Sequence, residues 1–225
     1  MAQRWVDLLF AHWPVPLDVL RARVPASLSL DAFDGTGWVS CAPFRITHLR
    51  PRGVPPLPWV SSFPELNVRT YVTRNDKPGV YFFSLDAGNP LAVAGARAFY
   101  HLPYFNASMR VRSFADGAVD YHSRRRGATA EFRATYRSTG ERVRADPGSL
   151  EHWLTERYCL YAVDARERAY RADIHHLPWP LERATVDIAA NTVPDAAGLA
   201  VRGPPRLPAF SPSIDVLVWW PERLP

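Results

Sequence analysis

The chain has 225 residues, 47% hydrophobic and 22% charged, enough for one large β-domain with a sizeable core and unlike a disordered composition. Its net charge of +5 comes from 27 basic and 22 acidic residues; Lys77 is the single lysine, so 26 (27 − 1) are arginines. That modest excess does not mark nucleic-acid binding, which wants basic and aromatic residues interleaved on one face. The arginine bias reads first as coding bias and second as a supply of guanidinium groups for carboxylate or phosphate.

Cys41 and Cys159 are too few for a disulfide framework. Only one basic residue stands in Met1-Ala2-Gln3-Arg4-Trp5, with no apolar leader segment behind it. No stretch approaches the ~18 apolar residues of a membrane span. The expectation is a cytoplasmic protein with no membrane partner.

The 22 prolines disfavour long helices. In chain order, Leu17 to Arg23 reads as a short helix opened by Pro16 and closed before Pro25. Trp38–His48 reads as a strand. Glu65–Arg74 and Val80–Asp86 flank the turn residues Asn75-Asp76-Lys77-Pro78-Gly79 and form a hairpin. Val80 to Leu85 is apolar on both faces, as a buried central strand requires. Pro90–Tyr100 is a helix with Asn89 as N-cap and Pro90 at its first position. Phe105, Ala107, Met109 and Val111 alternate with polar residues, and Val119, Tyr121 and Ser123 continue beyond Ala115-Asp116-Gly117 as a second hairpin.

From Thr129 to Arg137, Ala130, Phe132, Ala134 and Tyr136 share one face of a half-buried strand. A third helix, Leu150 to Arg157, follows Ser149. Strands are expected at Tyr158–Val163, Ala169–His175, Glu182–Ala189 and Ile214–Trp220. Pro51–Pro58 and Gly203–Pro212 read as surface loops. About ten strands with short turns and few helices describe one mainly β domain (α+β) over residues 1–225, its antiparallel sheet closing or sandwiching.

No G-x-S-x-G, G-x-x-x-x-G-K-[ST], G-x-G-x-x-G or H-E-x-x-H is present. Adjacent His175 and His176 point to opposite faces of a strand and cannot easily share a metal. No metal ligand set and no cofactor is expected. The run Arg124-Arg125-Arg126 reads as a solvated rim.

Three segments carry a family resemblance. The first is Leu8-Leu9-Phe10-Ala11-His12-Trp13-Pro14 with Leu20-Arg21-Ala22-Arg23-Val24-Pro25-Ala26-Ser27-Leu28. The second runs from Phe63 to Val72, and the third from Ala96 to Phe105. Together they resemble the acetoacetate-decarboxylase-like superfamily, and more closely its YqjF-like branch, across nearly the whole chain. The resemblance implies a cone-like antiparallel β-barrel around a largely apolar pocket for a small-molecule ligand, in a fold that often self-associates.

In the decarboxylases the third segment reads aromatic-Pro-Lys-Lys, and its first lysine forms a Schiff base with a β-keto acid. Burial and a second cation make that amine reactive. Here Pro103 matches, but Tyr104 and Phe105 stand at the lysine positions. Lys77, in its turn, is badly placed to substitute.

Glu65 matches a glutamate that the decarboxylases keep near their pocket, which makes it the leading candidate acid or base. Glu65, Asn67, Arg69 and Tyr71 share one face of a strand. If that face is internal, Arg69 can position a ligand beside Glu65; if it is external, Leu66 and Val68 are the buried residues. Tyr104 can donate a hydrogen bond to a carbonyl or carboxylate. His101 is a candidate general base. His12 and Trp13 lie where the decarboxylases supply a pocket arginine, with Trp13 the better wall. Three readings stay open: an enzyme acting on a carbonyl or carboxylate compound, a non-catalytic ligand-binding barrel, and an oligomeric scaffold with no small-molecule pocket.

Overall fold

The computed structural model describes all residues 1–225. In chain order the elements are β1 (Ala2–Val15), α1 (Leu17–Arg21), β2 (Ser29–Leu30), β3 (Gly37–Arg50), β4 (Phe63–Arg74), β5 (Lys77–Ala87), α2 (Pro90–Tyr100), β6 (Tyr104–Ser113), β7 (Val119–Arg125), β8 (Glu131–Arg142), α3 (Leu150–Thr155), β9 (Cys159–Val163), β10 (Ala169–His175), β11 (Glu182–Asn191), β12 (Arg206–Val218) and β13 (Glu222–Arg223). The mainly β architecture with a few short helices is as expected from the sequence.

Strand pairing closes on itself in two rings. One runs β4–β5–β9–β10–β12–β1–β3 and back to β4. The other leaves β5 through β6, β7, β8 and β11 and rejoins at β12. The strands β12, β1, β3, β4 and β5 belong to both; β3, β4 and the Leu8–Trp13 stretch of β1 form a wall buried on each face, while β12 is exposed at Pro212, Ser213 and Asp215. Alternation then sorts their side chains. Leu8, Phe10, Phe44, Phe63 and Tyr71 face a core in the first ring. Leu9, Ala11, Cys41, Leu66 and Val68 face a second core, with Tyr121, Phe132 and Tyr136, in the other.

The pairing is antiparallel except along β5, which runs parallel to both β6 and β9. A wholly antiparallel sheet was expected, and the reason for the difference is local. A parallel return needs a crossover, and α2 supplies it between β5 and β6. β9 approaches β5 closely because Gly79 has no side chain: a Cβ there would lie 2.7 Å from the Cys159 carbonyl oxygen.

Caps and turns follow the sequence closely. Asn89 Oδ1 accepts from the Leu91 and Ala92 amides at 3.0 and 3.2 Å. Ser149 Oγ accepts from His152 N at 3.2 Å. Asn75 and Asp76 both take positive φ, 52° and 55°, as a two-residue hairpin turn requires. Lys77 therefore opens β5 rather than sitting in the turn, with its ammonium 2.9 Å from Asp173. Two helices end earlier than expected. Arg21 turns its guanidinium onto the Leu28 and Pro25 carbonyls, at 2.7 and 2.6 Å. Arg157 Nε takes the Trp153 carbonyl at 2.7 Å, ending α3 at Thr155.

Two expectations fail in the wall. β1 is a long strand that the sequence did not signal, because burial on both faces erases its alternation. The proline-rich stretch 203–212 is strand from Arg206 onward. Pro212 is tolerated opposite Asp7, which takes φ 54° and is skipped in the β1–β12 register between Val6↔Ser213 and Leu8↔Ser211.

Arg125 is likewise not on a rim. Its Nε and Nη2 lie 2.9 and 2.8 Å from Oδ1 of fully buried Asp86, and its guanidinium stacks 3.9 Å from the Phe105 ring centroid. Arg124 and Arg126 are exposed, as their alternation demands. No helix is long and apolar enough to cross a membrane.

The Asp86–Arg125 pair ties β5 to β7 across β6. Removing one partner strands a buried charge, whereas removing both leaves an apolar gap. Arg125→Met should cost about 3–5 kcal/mol in urea unfolding, and the double variant Asp86→Leu, Arg125→Met should recover most of it. A single variant as stable as wild type would show that the pair carries no charge.

Candidate functional site

The first ring holds a cavity of about 270 Å³. Most of its lining is apolar, including Trp5, Phe44, Phe63, Phe82 and Trp179. α2 bounds one side through Ala92, Gly95, Ala96, Phe99 and Tyr100. Phe99 and Trp220 line the cavity yet are 62% and 61% exposed, so the cavity reaches the surface beside this pair.

One strand supplies three of the polar lining residues. β4 presents Phe63, Glu65, Asn67 and Arg69 in turn to the cavity, while Leu66 and Val68 face the second core. Both faces of β4 are therefore buried. Glu65 is 3% exposed and Arg69 7%.

Tyr104, at the start of β6, donates from its hydroxyl to Glu65 Oε2 at 2.8 Å. The Glu65 carbonyl is held from the second core by the Tyr121 hydroxyl at 2.7 Å. Burial pushes the Glu65 carboxyl up to about 8, the bond from Tyr104 offsetting only part of the effect. Burial, and then the neighbouring Glu65, hold the Tyr104 phenol well above its ordinary value. Glu65 is thus a neutral acid across most of the physiological range, and Tyr104 a donor only.

A second polar cluster lies beside α3. Arg69 Nη2 makes one long bond, 3.4 Å, to the Leu154 carbonyl, and its Nε has no partner. The guanidinium rests over Phe10 and Tyr71, 5.4 and 5.9 Å from their ring centroids. Arg157, also on the cavity wall, pairs with Asp31 at 2.5 Å and lies 5.1 Å from the Tyr71 centroid on the same ring. Burial, more than any neighbouring charge, lowers the Arg69 value.

Residues 2–215 match the DUF2071 family, described as an uncharacterized conserved protein. The chain belongs to that family. It is 49% identical to the uncharacterized protein YqjF of Bacillus subtilis (strain 168) over 220 residues, 97% of this chain and 90% of that protein. Its fold is similar to acetoacetate decarboxylase from Legionella pneumophila (TM-score 0.68, 11% identity, 100% of this chain and 88% of that one). It is similar also to an acetoacetate decarboxylase-like enzyme from Sphingomonas wittichii RW1 (TM-score 0.70, 15% identity, 99% and 92%). A third similar structure is the enduracididine biosynthesis enzyme MppR complexed with the condensation product of pyruvate and imidazole 4-carboxaldehyde (TM-score 0.70, 12% identity, 99% and 88%). At these identities the likeness is one of fold.

In this DUF2071 chain the six residues singled out from sequence divide evenly. Glu65, Tyr104 and Arg69 line one cavity. Glu65 and Arg69 are not paired with each other: each makes its contacts at its own end of β4.

The other three lie elsewhere. His101 caps α2 with φ 54°, packs at a tilt against Tyr170 at 4.5 Å, and lines a separate shallow groove. His12 shares the cavity-side face of β1 but sits behind Tyr71, bonded to Ser40 Oγ at 2.5 Å. Burial and then Arg69 lower it to about 3. Trp13 is one residue on, so alternation turns it into the second core, where its Nε1 donates to the Gly203 carbonyl at 3.0 Å. It is not a cavity wall.

Arg157 and His176 line the cavity but carried no signal as site residues, since the tertiary path alone brings them there. Lys77 is not on the lining, and Phe105 is covered by Arg125.

The Glu65 shift has a stability consequence. Its ordinary value is 4.5 and its folded value about 8. Between the two the folded chain holds a proton that the unfolded chain has released, so stability falls as pH rises through that window. Urea unfolding at about pH 5 and about pH 8 should show wild type losing stability relative to Glu65→Gln, by up to ~1.4 kcal/mol per pH unit. Parallel curves would mean that Glu65 is ionised in the fold.

Proposed function

We propose that the cavity binds a small carbonyl compound bearing a carboxylate, and that Glu65 exchanges a proton with the carbon next to its carbonyl. One observation carries this reading: a buried carboxyl raised to about 8 and held by Tyr104 at 2.8 Å inside an apolar cavity. A general base works best with a value near the working pH, and burial has put Glu65 there. Tyr104 holds the carboxyl in place and stays protonated while Glu65 gains or loses its proton. The buried Arg69 guanidinium supplies attraction for the carboxylate.

The fold relatives support the ligand class. One is an acetoacetate decarboxylase and another carries a pyruvate-derived product. The cavity wall of this chain holds no lysine, so the proposed chemistry is proton transfer without a Schiff base.

A second reading, a binding cavity without turnover, is favoured by the isolation of Glu65. His101 stands outside the cavity, and the Tyr104 phenol is too weak an acid to share the work.

Deuterium exchange into methyl-ketone acids, CH3CO(CH2)nCO2−, with n rising from zero, followed by NMR, separates the two. The first reading predicts exchange that rises with pH to a plateau above about 8. Glu65→Gln should slow it by about 100-fold or more while the keto acid still raises the melting temperature. Stabilisation by keto acids with no exchange in either protein would establish the binding cavity instead.

A further inference from the structure

The two polar clusters of the cavity are far apart. Glu65 and Arg69 lie four residues apart on one strand, a separation of ~13 Å at ~3.3 Å per residue, somewhat less where the β4–β5 register breaks between Val68 and Arg69. Between them the wall is apolar apart from Asn67, whose buried Oδ1 has no partner. The volume, about 270 Å³, would hold on the order of nine water-sized groups at ~30 Å³ each. A short keto acid fills only part of that space and cannot reach both clusters.

Charge narrows the ligand further. Arg157 is neutralised by Asp31. Arg69 faces no carboxylate and is 7% exposed, with Nε unbonded. The α3 end of the cavity therefore carries one uncompensated positive charge in an apolar setting, a costly arrangement unless an anion completes it. Away from that end, Phe99 and Trp220 pack edge to face, their ring centroids 6.0 Å apart, as an apolar, solvent-exposed rim of the cavity.

We infer that the cavity takes an elongated monocarboxylic acid, its carboxylate on Arg69 at the α3 end and its apolar body running along β4 toward Phe99 and Trp220. This deepens the proposed function and rests on it only in placing a carbonyl beside Glu65; the acid end and the length requirement follow from Arg69 and the cavity. One net charge selects a monoanion, and the bidentate geometry of a guanidinium suits a carboxylate. Apart from Asn67 and the Glu65–Tyr104 pair the wall beside the body is apolar, so added methylenes contribute alike until the rim is reached.

Calorimetric titration tests this with straight-chain methyl-ketone acids, CH3CO(CH2)nCO2−, of increasing length, starting at pyruvate, and with the matching primary amides. Affinity should tighten about fourfold per methylene and then level off. Each acid should bind wild type at least about tenfold more tightly than its amide. Arg69→Met should abolish the acid-over-amide preference and keep the length dependence, and Arg69→Lys should restore part of the preference. The wild-type comparisons stand alone should Arg69→Met fail to fold.

Pyruvate binding as tightly as the longest acid, or acid and amide binding alike, overturns the inference. If exchange into pyruvate still depends on Glu65 in that case, the proposed function survives without it. If the length series and the Arg69 preference hold while no exchange occurs, the inference stands and the role given to Glu65 falls. If no acid binds at all, both fall.

Discussion

The shared wall of strands, buried on both faces, is the constraint from which the rest follows. β1, β3 and β4 each send alternate side chains into two cores, so no position on them reaches bulk water except near the ends. A polar residue on such a strand must find a partner inside the protein, change its charge state, or face a cavity. β4 shows all of these. Glu65 takes a hydrogen bond and keeps its proton, while Asn67 and Arg69 face the cavity with unbonded atoms. The cavity is thus a place where the first core is left unfilled next to groups that cannot be satisfied by packing alone.

The same wall sets the electrostatics. Glu65 and Arg69 sit on one face of one strand, yet they do not neutralise each other because the strand is extended and their side chains stand roughly parallel. A compact site would have paired them and held both charged. Separation leaves an acid that is neutral at one end and a cation without a counter-ion at the other. By contrast, Asp86 on β5 and Arg125 on β7 reach across β6, meet directly and form a structural pair. The difference between a site and a tie is here one of distance within the sheet.

The sequence resemblance sets Tyr104 and Phe105 against the lysine positions of the decarboxylases. Tyr104 uses its position to hold Glu65, and Phe105 turns away beneath Arg125. Glu65 thereby becomes the titratable group of that end of the cavity. That Tyr104 can donate and Glu65 can titrate was legible from their residue types alone. The placement of His101 and Trp13 was not. Sequence proximity to the matched segment suggested His101, but a left-handed helix cap turns it onto Tyr170. Trp13 is one residue from His12, and one residue on a strand is the opposite face.

What the sequence determined by itself is the set of local choices: the Asn89 and Ser149 caps, the Asn75-Asp76 turn, the period-two strands, and the fact that Glu65, Asn67 and Arg69 share a side. These depend on neighbours in the chain and on backbone geometry, which a short window contains. Only the tertiary structure decided that this side is internal, that β1 and the proline-rich start of β12 complete the wall, and that Arg157 arrives beside Arg69. Burial on both faces removes the alternation by which a strand is recognised, and contact between residues as distant as Arg69 and Leu154 depends on ring closure, which no local pattern encodes.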